Sequence, residues 1–185
     1  MIFKELPLLG AYLIDLEKKE DARGFFARSF CDEEFLKLGL NIKWAQINTS
    51  FTKSAGTLRG LHLQHPPHTE VKVIRCIRGS IWDVIVDLRA LSKTYGYWFG
   101  VELNQDNRSM IYVPNGFAHG FISLEDESEI MYLVSHPYSQ KHEVGLIWND
   151  KDVGIKWPIK PTLISEKDKI NLPLTKLKKV GIEFN

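Results

Sequence analysis

Short strand-like segments recur along the chain, and turn signals separate them at intervals of about ten residues. Within the segments apolar and polar residues tend to alternate, while Gly, Pro, Asn or charged residues stand between them. A series of this kind is typical of a β-sandwich or a closed barrel, so we expect an all-β fold. The predicted strands are residues 11–16, 23–30, 44–50, 56–64, 71–77, 80–88, 97–103, 110–113, 117–124 and 129–135.

Two parts of the chain depart from the strand pattern. Residues 32–40 predict one short helix, with Asp32 as its N-cap and Phe35, Leu36 and Leu40 as its apolar stripe. The tail from Pro158 is polar and rich in Lys, and it is predicted to be loop or short helix. We therefore expect an all-β domain with a few short helices.

Length and charge limit the class of protein. A chain of 185 residues can bury a sizeable core, and the simplest organisation is one domain over residues 1–185. The net charge of +1 gives no reason to expect nucleic acid or a membrane surface as a partner. We expect no signal peptide and no membrane span. Cys31 and Cys76 are predicted to be buried free thiols, which fits a cytoplasmic location.

The most informative stretch runs over residues 56–64 and continues to Lys72 and Gly79. Alternate side chains of a strand share a face, so His62, Gln64 and Lys72 are expected on one side of a sheet, with leucines on the other. Cationic donors beside a His that can accept a proton predict a pocket that binds an anion and moves a proton.

The segment 44–50 places Gln46, Asn48 and Ser50 on one face. A polar strand face usually points to solvent, but it can also line a polar pocket inside a barrel. The sequence leaves both interpretations open.

Two segments resemble the paired motifs of the cupin jelly roll. The first contains His62, Gln64 and Glu70, and the second is residues 114–119 with His119. Gln64 is a poor metal ligand at a position where metal-binding cupins carry a His, so we do not favour a metal site, although a metal-dependent cupin enzyme remains an alternative. His62 and His119 could also be hydrogen-bonded core residues. Arg59 and Lys72 are expected nearby, and cationic side chains are rarely buried without an anionic partner. We therefore expect an anionic ligand such as a phosphate or diphosphate.

Longer motifs resemble the dTDP-4-dehydrorhamnose 3,5-epimerase family and related nucleotide-sugar enzymes. The resemblance implies a cupin-type double-stranded β-helix, or jelly roll, that epimerises a nucleotide-linked 4-keto-6-deoxy sugar without a cofactor or a metal. The motifs span nearly the whole chain in the family's order and are residues 23–26, 56–62, 70–76, 83–89, 114–121, 143–150 and 165–168.

The resemblance assigns four catalytic roles. His62 is implied to be the base, and Asp168 its orienting partner. Lys72 is implied to stabilise the enolate, and Tyr132 to be the acid on the opposite face of the sugar.

The resemblance also implies a set of residues that bind the nucleotide sugar. Tyr138 is expected to stack on the base, while His119 with Asp83 would shape the pocket. Arg28 stands where dTDP-specific relatives carry a Glu, which puts thymidine specificity in doubt and keeps a GDP-linked hexose or heptose open. The remaining implied binding residues are Arg23, Gln46, Asn48, Arg59, Glu143 and Lys167.

One further expectation follows from the resemblance, and two alternatives to the proposed reaction stand beside it. The family is typically dimeric, with N-terminal strands exchanged between subunits, which would protect sheet edges. Epimerisation at C3 only or at C5 only is an alternative on the same scaffold. A non-catalytic sugar-binding jelly roll is another.

Overall fold

The computed structural model describes residues 1–179, and most of its regular structure is antiparallel strand. Three short helices, α1 (Asp32–Leu36), α2 (Glu166–Lys169) and α3 (Leu174–Lys179), and a 3₁₀ turn at Gln140–His142 occur in this part of the chain. The strands are β1 (Ile2–Glu5), β2 (Tyr12–Asp15), β3 (Lys19–Asp21), β4 (Gly24–Phe26), β5 (Gln46–Thr52), β6 (Thr57–Gln64), β7 (Lys72–Arg78), β8 (Ser80–Asp87), β9 (Trp98–Asn104), β10 (Met110–Val113), β11 (Phe117–Ser123), β12 (Ser128–Val134), β13 (Glu143–Gly145) and β14 (Leu163–Ile164).

Two sheets form the body of the protein. The first has the strand order β1-β2-β10-β7-β12-β5, and the second has the order β13-β6-β11-β8-β9. The short β14 adds to β6 in parallel, and β3 with β4 forms a separate hairpin. Apart from the pairs β1–β2 and β8–β9, neighbouring strands within each sheet come from distant parts of the chain, as in a jelly roll. The predicted all-β cupin-type fold is confirmed.

Three apolar clusters pack on the faces of the sheets. One lies between the sheets and includes Ile74, Ile85 and Ile111. A second covers the outer face of the second sheet, where Leu61 and Leu63 pack against the C-terminal segment. The third covers the outer face of the first sheet beneath α1. Because the C-terminal segment covers the outer face of the second sheet, the polar side chains of β6 lie on its inner face, where they line a cavity between the sheets.

Helix α1 is shorter than the helix predicted over residues 32–40. It ends at Leu36, and Leu36 is 55% exposed, so Phe35 is the one buried apolar residue of the helix, while Leu40 is buried beyond its end. Asp32 is the first helical residue rather than the N-cap, which is Cys31. Both thiols are free, but only Cys76 is buried; Cys31 is partly exposed.

Several short elements differ from the sequence-based prediction. Strand β3 lies in the charged segment after the first predicted strand and was not predicted, and the strand predicted over 23–30 is only β4. Strands β1 and β13, and strand β14 in the polar tail, were not predicted, because none has enough alternation to stand out. The predicted tail continues through residues 180–185, which lie outside the described part. No helix within residues 1–179 has the length and apolar character needed to cross a membrane.

Candidate active site

A cavity of about 500 Å³ opens between the two sheets at one end of the barrel. Phe121 and Ile130 belong to the apolar core and form part of its lining. A second space of about 370 Å³ adjoins it, since both are lined by His62, Lys72 and Tyr132. The protein therefore offers one continuous site with two halves.

A bulge in β6 sets the direction of its side chains. His62 lies opposite His119 and Arg59 lies opposite Phe121, so two β6 residues face the single Gly120 between these pairs. The bulge places Arg59 and His62 on the same cavity, although strict alternation would separate them. A Cβ on Gly60 would lie 2.7 Å from the carbonyl oxygen of His119, so the close approach requires glycine there.

His62 is held by a carboxylate from the C-terminal segment. Its Nε2 lies 2.6 Å from Oδ1 of Asp168, while Oδ2 of Asp168 accepts the N–H of Gly60 at 3.2 Å. Ser165 caps α2, because its Oγ accepts the backbone N–H of Asp168 at 3.1 Å. Burial acts to raise the pKa of Asp168, but the hydrogen bond and charge of His62 bring that pKa below its usual value. Asp168 is thus ionised and fixes the imidazole tautomer with its proton on Nε2.

The other ring nitrogen faces a second acidic group. His62 Nδ1 lies 3.6 Å from Oε1 of Glu143, whose other oxygen accepts the phenol of Tyr138 at 2.9 Å and bonds the ammonium of Lys167. Burial acts to raise the pKa of Glu143, yet the bonds from Lys167 and Tyr138 lower it. Glu143 therefore stays ionised beside the imidazole.

Lys72 and Tyr132 lie on the opposite wall. Lys72 is on β7 of the first sheet, whereas His62 is on β6 of the second. The prediction that Lys72 and His62 share one side of a sheet is therefore wrong. The two side chains face each other across the cavity. Lys72 Nζ pairs with Oε1 of Glu70 at 3.0 Å. Burial, and then the charge of Glu70, raises the pKa of Tyr132, so its phenol is protonated at neutral pH.

His119 borders the same cavity deeper in the barrel. Its Nε2 lies 2.8 Å from Oδ2 of the fully buried Asp83. Within residues 1–179, no three or more His, Cys, Asp or Glu side chains are grouped so that they could hold a metal ion. Both cavity histidines instead pair with carboxylates.

The polar face of β5 turns inward. Gln46 and Asn48 line the second half of the site, and Ser50 lines the first. The alternate residues Ile47 and Phe51 are 66% and 48% exposed. Of the two interpretations that the sequence allowed, the structure matches the pocket lining.

Two of the predicted binding residues lie away from the cavity in this chain. Arg23 is exposed on the β3–β4 hairpin and pairs with Asp21 at 2.6 Å. Arg28 follows β4 and lies 3.4 Å from Glu34. The structure brings together the other predicted site residues, which are His62, Lys72, Tyr132, Asp168, Gln46, Asn48, Arg59, His119, Tyr138, Glu143 and Lys167.

Sequence reasoning missed two residues that contact this set. Ser165 precedes Asp168 by three positions, and this capping-box spacing is a signal that could have identified it. Glu70 was noted only within a motif, and its charge next to Lys72 had no distinctive pattern.

Comparisons with known proteins indicate the family of this chain. Residues 5–176 match the family model described as dTDP-4-dehydrorhamnose 3,5-epimerase. The enzyme of that name from Sinorhizobium fredii is 43% identical over 91% of this chain and 87% of its own. The crystal structure of the Elizabethkingia anophelis enzyme has a TM-score of 0.92 and 38% identity, covering 95% of this chain and 97% of the other. That of the Bacillus anthracis enzyme, with TDP and PPi bound, has a TM-score of 0.89 and 40% identity, covering 93% and 98%.

Proposed function

Because the chain belongs to the dTDP-4-dehydrorhamnose 3,5-epimerase family, we propose that it inverts C3 and C5 of a dTDP-linked 4-keto-6-deoxy sugar. The observation that carries the proposal is the placement of the His62–Asp168 pair, Lys72 and Tyr132 around one cavity. The C4 ketone acidifies the hydrogens on both neighbouring carbons, so one set of groups can act at each centre in turn.

In this proposal His62 removes the proton. Its Nε2–H donates to Asp168, which leaves the lone pair on Nδ1 for the substrate hydrogen. The imidazolium that forms lies between two ionised carboxylates, those of Asp168 and Glu143. The C–H electron pair moves into the ring and gives an enolate with its charge on the C4 oxygen.

Lys72 and Tyr132 complete the reaction from the other wall. The Lys72 side chain is 12% exposed, so its ammonium stabilises the enolate oxygen with little competition from water. Tyr132 then gives its phenolic proton to the carbon from the face opposite His62, and the configuration inverts. Before the second centre reacts, His62 releases its proton to water and Tyr132 takes one from water. The raised pKa of Tyr132 keeps that proton available.

The nucleotide would occupy the second half of the site and its mouth. Arg59 is exposed at the mouth and Lys167 is half-exposed, so both can pair with a diphosphate. Gln46 and Asn48 offer amides to the base or the ribose. Tyr138 is 58% exposed, which leaves a ring face free for stacking.

We also propose a homodimer in which the N-terminal segment of one subunit reaches the other. The hairpin exposes Phe26 at 68%, and the edge strand β5 exposes Ile47 at 66%. Packing of the hairpin of one subunit against strand β5 of the other would cover this apolar surface and a free strand edge. It would also bring Arg23 to the partner's cavity, where this chain alone does not place it. Light scattering behind size exclusion tests the dimer, and Phe26→Ser should shift it toward monomer.

A cytoplasmic location belongs to the same proposal. Both cysteines are free, as expected in a reducing compartment.

The test of the function is incubation of the purified protein with dTDP-4-keto-6-deoxyglucose and proton NMR of the product. Inversion at C3 and C5 supports the proposal. Inversion at one centre would favour a C3-only or C5-only epimerase, and an unchanged sugar that still binds would favour a sugar-binding module. Elemental analysis of protein purified without chelator addresses the metal-dependent alternative, which stoichiometric Fe, Mn or Zn would support.

A further inference from the structure

Gln64 lies two residues after His62 on β6 and is 3% exposed. None of the steps proposed above uses it, although it lines the half of the site assigned to the nucleotide. A buried amide needs hydrogen-bond partners for its acceptor oxygen and for its donor N–H groups, so the partners show which parts of the chain it holds in position.

The side chain joins two loops at this end of the barrel. Its Oε1 accepts the backbone N–H of Ser139. Its Nε2 lies 3.1 Å from Oε2 of Glu70, and 3.2 Å from the carbonyl oxygens of His68 and Pro137. Every polar atom of the amide is therefore engaged, and all the partners belong to loops rather than to β6.

Two of these contacts flank Tyr138. The carbonyl of Pro137 precedes Tyr138 and the N–H of Ser139 follows it, so Gln64 holds the backbone on both sides of this residue. The N–H of Tyr138 itself donates to Oε1 of Gln46 at 3.2 Å. The direction of the Tyr138 ring, and its bond to Glu143, depend on this backbone.

The contact between Gln64 and the carboxylate of Glu70 connects β6 to Lys72 on the opposite wall of the cavity. Glu70 accepts from Gln64 through Oε2 and pairs with Lys72 through Oε1, at 3.1 and 3.0 Å. The Glu70 side chain is 10% exposed and has a fixed place between the two. Gln64 therefore sets the orientation of the carboxylate that holds Lys72.

We infer that Gln64 is a positioning residue that fixes Tyr138 for the nucleotide and Lys72 for the enolate. The inference rests on the proposed function. Only an uncharged amide of this length supplies an acceptor to Ser139 and, on one nitrogen, two N–H donors that Glu70 and the two carbonyls share. A carboxylate would lose the donors and repel Glu70, and an imidazole has one donor and one acceptor when neutral.

The test uses two variants and a matched control. Gln64→Glu keeps the length and the acceptor. Gln64→Asn keeps the amide group but moves it toward the backbone by about 1.5 Å, one C–C bond. Gln105→Glu is the control, because the Oε1 of Gln105 also accepts a backbone N–H, that of Gly79, at a site away from the cavity. The dissociation constant for dTDP is measured by calorimetry, and kcat and KM with the keto sugar, at pH 7.5 and at pH 5.5.

Both Gln64 variants are expected to weaken dTDP binding and to lower kcat by about tenfold or more at pH 7.5, since each breaks a buried bond to a charged group. At pH 5.5 Gln64→Glu should recover part of the loss relative to wild type, because the protonated carboxyl can again donate to Glu70. Gln64→Asn should show no such recovery, and Gln105→Glu should match wild type at both pH values.

A Gln64→Glu protein with wild-type dTDP affinity and kcat would overturn the inference, even if its melting temperature fell. If that variant does not fold, unchanged constants for Gln64→Asn would overturn it in the same way. The proposed function fails separately, in the wild type, if the keto sugar is not converted; the dTDP titration still tests whether Gln64 positions Tyr138.

Discussion

Asp168 Oδ1 lies 2.6 Å from Nε2 of His62, although 106 positions separate the two residues in the chain. The contact forms because the C-terminal segment packs along the outer face of the second sheet and its short helix α2 meets β6. The same Asp168 accepts the N–H of Gly60, so one carboxylate secures both the imidazole and the bulge that directs it. The proposed base is therefore held by its own strand β6 and by a helix that lies more than 100 positions later in the chain.

His62→Ala should lower turnover of the keto sugar by about 10²- to 10⁴-fold, the usual contribution of a general base. Binding of dTDP should change little, because the proposed nucleotide contacts come from other side chains. Steady-state kinetics and calorimetry measure the two effects. Asp168→Asn should lower kcat as well, and the double variant should be no slower than His62→Ala, since the two residues act as a unit. Additive losses would contradict the pairing.

Gly60→Ala should destabilise the protein and lower kcat together. The added Cβ would lie 2.7 Å from both the His119 carbonyl oxygen and the Gly120 Cα, and the φ of +109° is unfavourable for any side chain. We expect a loss of about 2 kcal/mol or more in the free energy of unfolding, read from urea titration. Gly39→Ala is the control, since its φ is +69° but no atom lies within 4 Å of the new Cβ. Equal effects at both positions would mean that backbone strain alone, and not the close approach of β6 and β11, accounts for the loss.

Asp87→Asn should cost stability at neutral pH and much less in acid. Asp87 is fully buried and accepts bonds from Arg89, Ser92 and Thr94. Burial acts to raise the pKa of Asp87, but those bonds bring it below its usual value. Its ionised form therefore contributes stability that is present above the unfolded pKa of about 3.9 and is lost as the pH falls toward the lower folded pKa.

The free energy of unfolding of Asp87→Asn should be about 1.5–3 kcal/mol below wild type at pH 7, and the gap should shrink below about pH 4. Urea titration over this pH range measures it. Asp21→Asn serves as the control, because the Asp21–Arg23 pair is solvent-exposed and should contribute almost nothing. A gap that stays constant down to pH 3 would show that the charge of Asp87 is not its source.

A thermal-shift panel of dTDP, GDP, CDP and UDP should give the largest rise in melting temperature with dTDP, because a tighter ligand stabilises the folded state more. Arg28, which raised the possibility of another base, bonds Glu34 and lies outside the cavity of its own chain. A larger shift with GDP would contradict the dTDP proposal and would support a role for Arg28 in a partner's site.

The sequence was most informative where alternation is strong. β5 through β12 were predicted to within about two residues at each end, a usual error for boundaries. Alternation could not show the bulge at Gly60, which puts Arg59 on the same side as His62, because a bulge depends on the facing strand. It also could not assign Lys72 to the other sheet, since strand order is decided by long-range packing.

Other parts of the site were visible only through family resemblance or not at all. Asp168 lies in a polar, Lys-rich tail that suggests a surface acid, yet it is 4% exposed in the folded chain. Gln64 was noted for what it could not do as a metal ligand, and its hydrogen bonds to two loops depend on contacts that no local pattern encodes.

The most direct measurement is to run the reaction in deuterated water and count deuterons in the product by mass spectrometry, with NMR to locate them. If His62 and Tyr132 act from opposite faces on both carbons beside the ketone, each product molecule should carry one deuteron at C3 and one at C5, and both centres should be inverted. A product with a deuteron at only one of these carbons, or with none, would contradict the account.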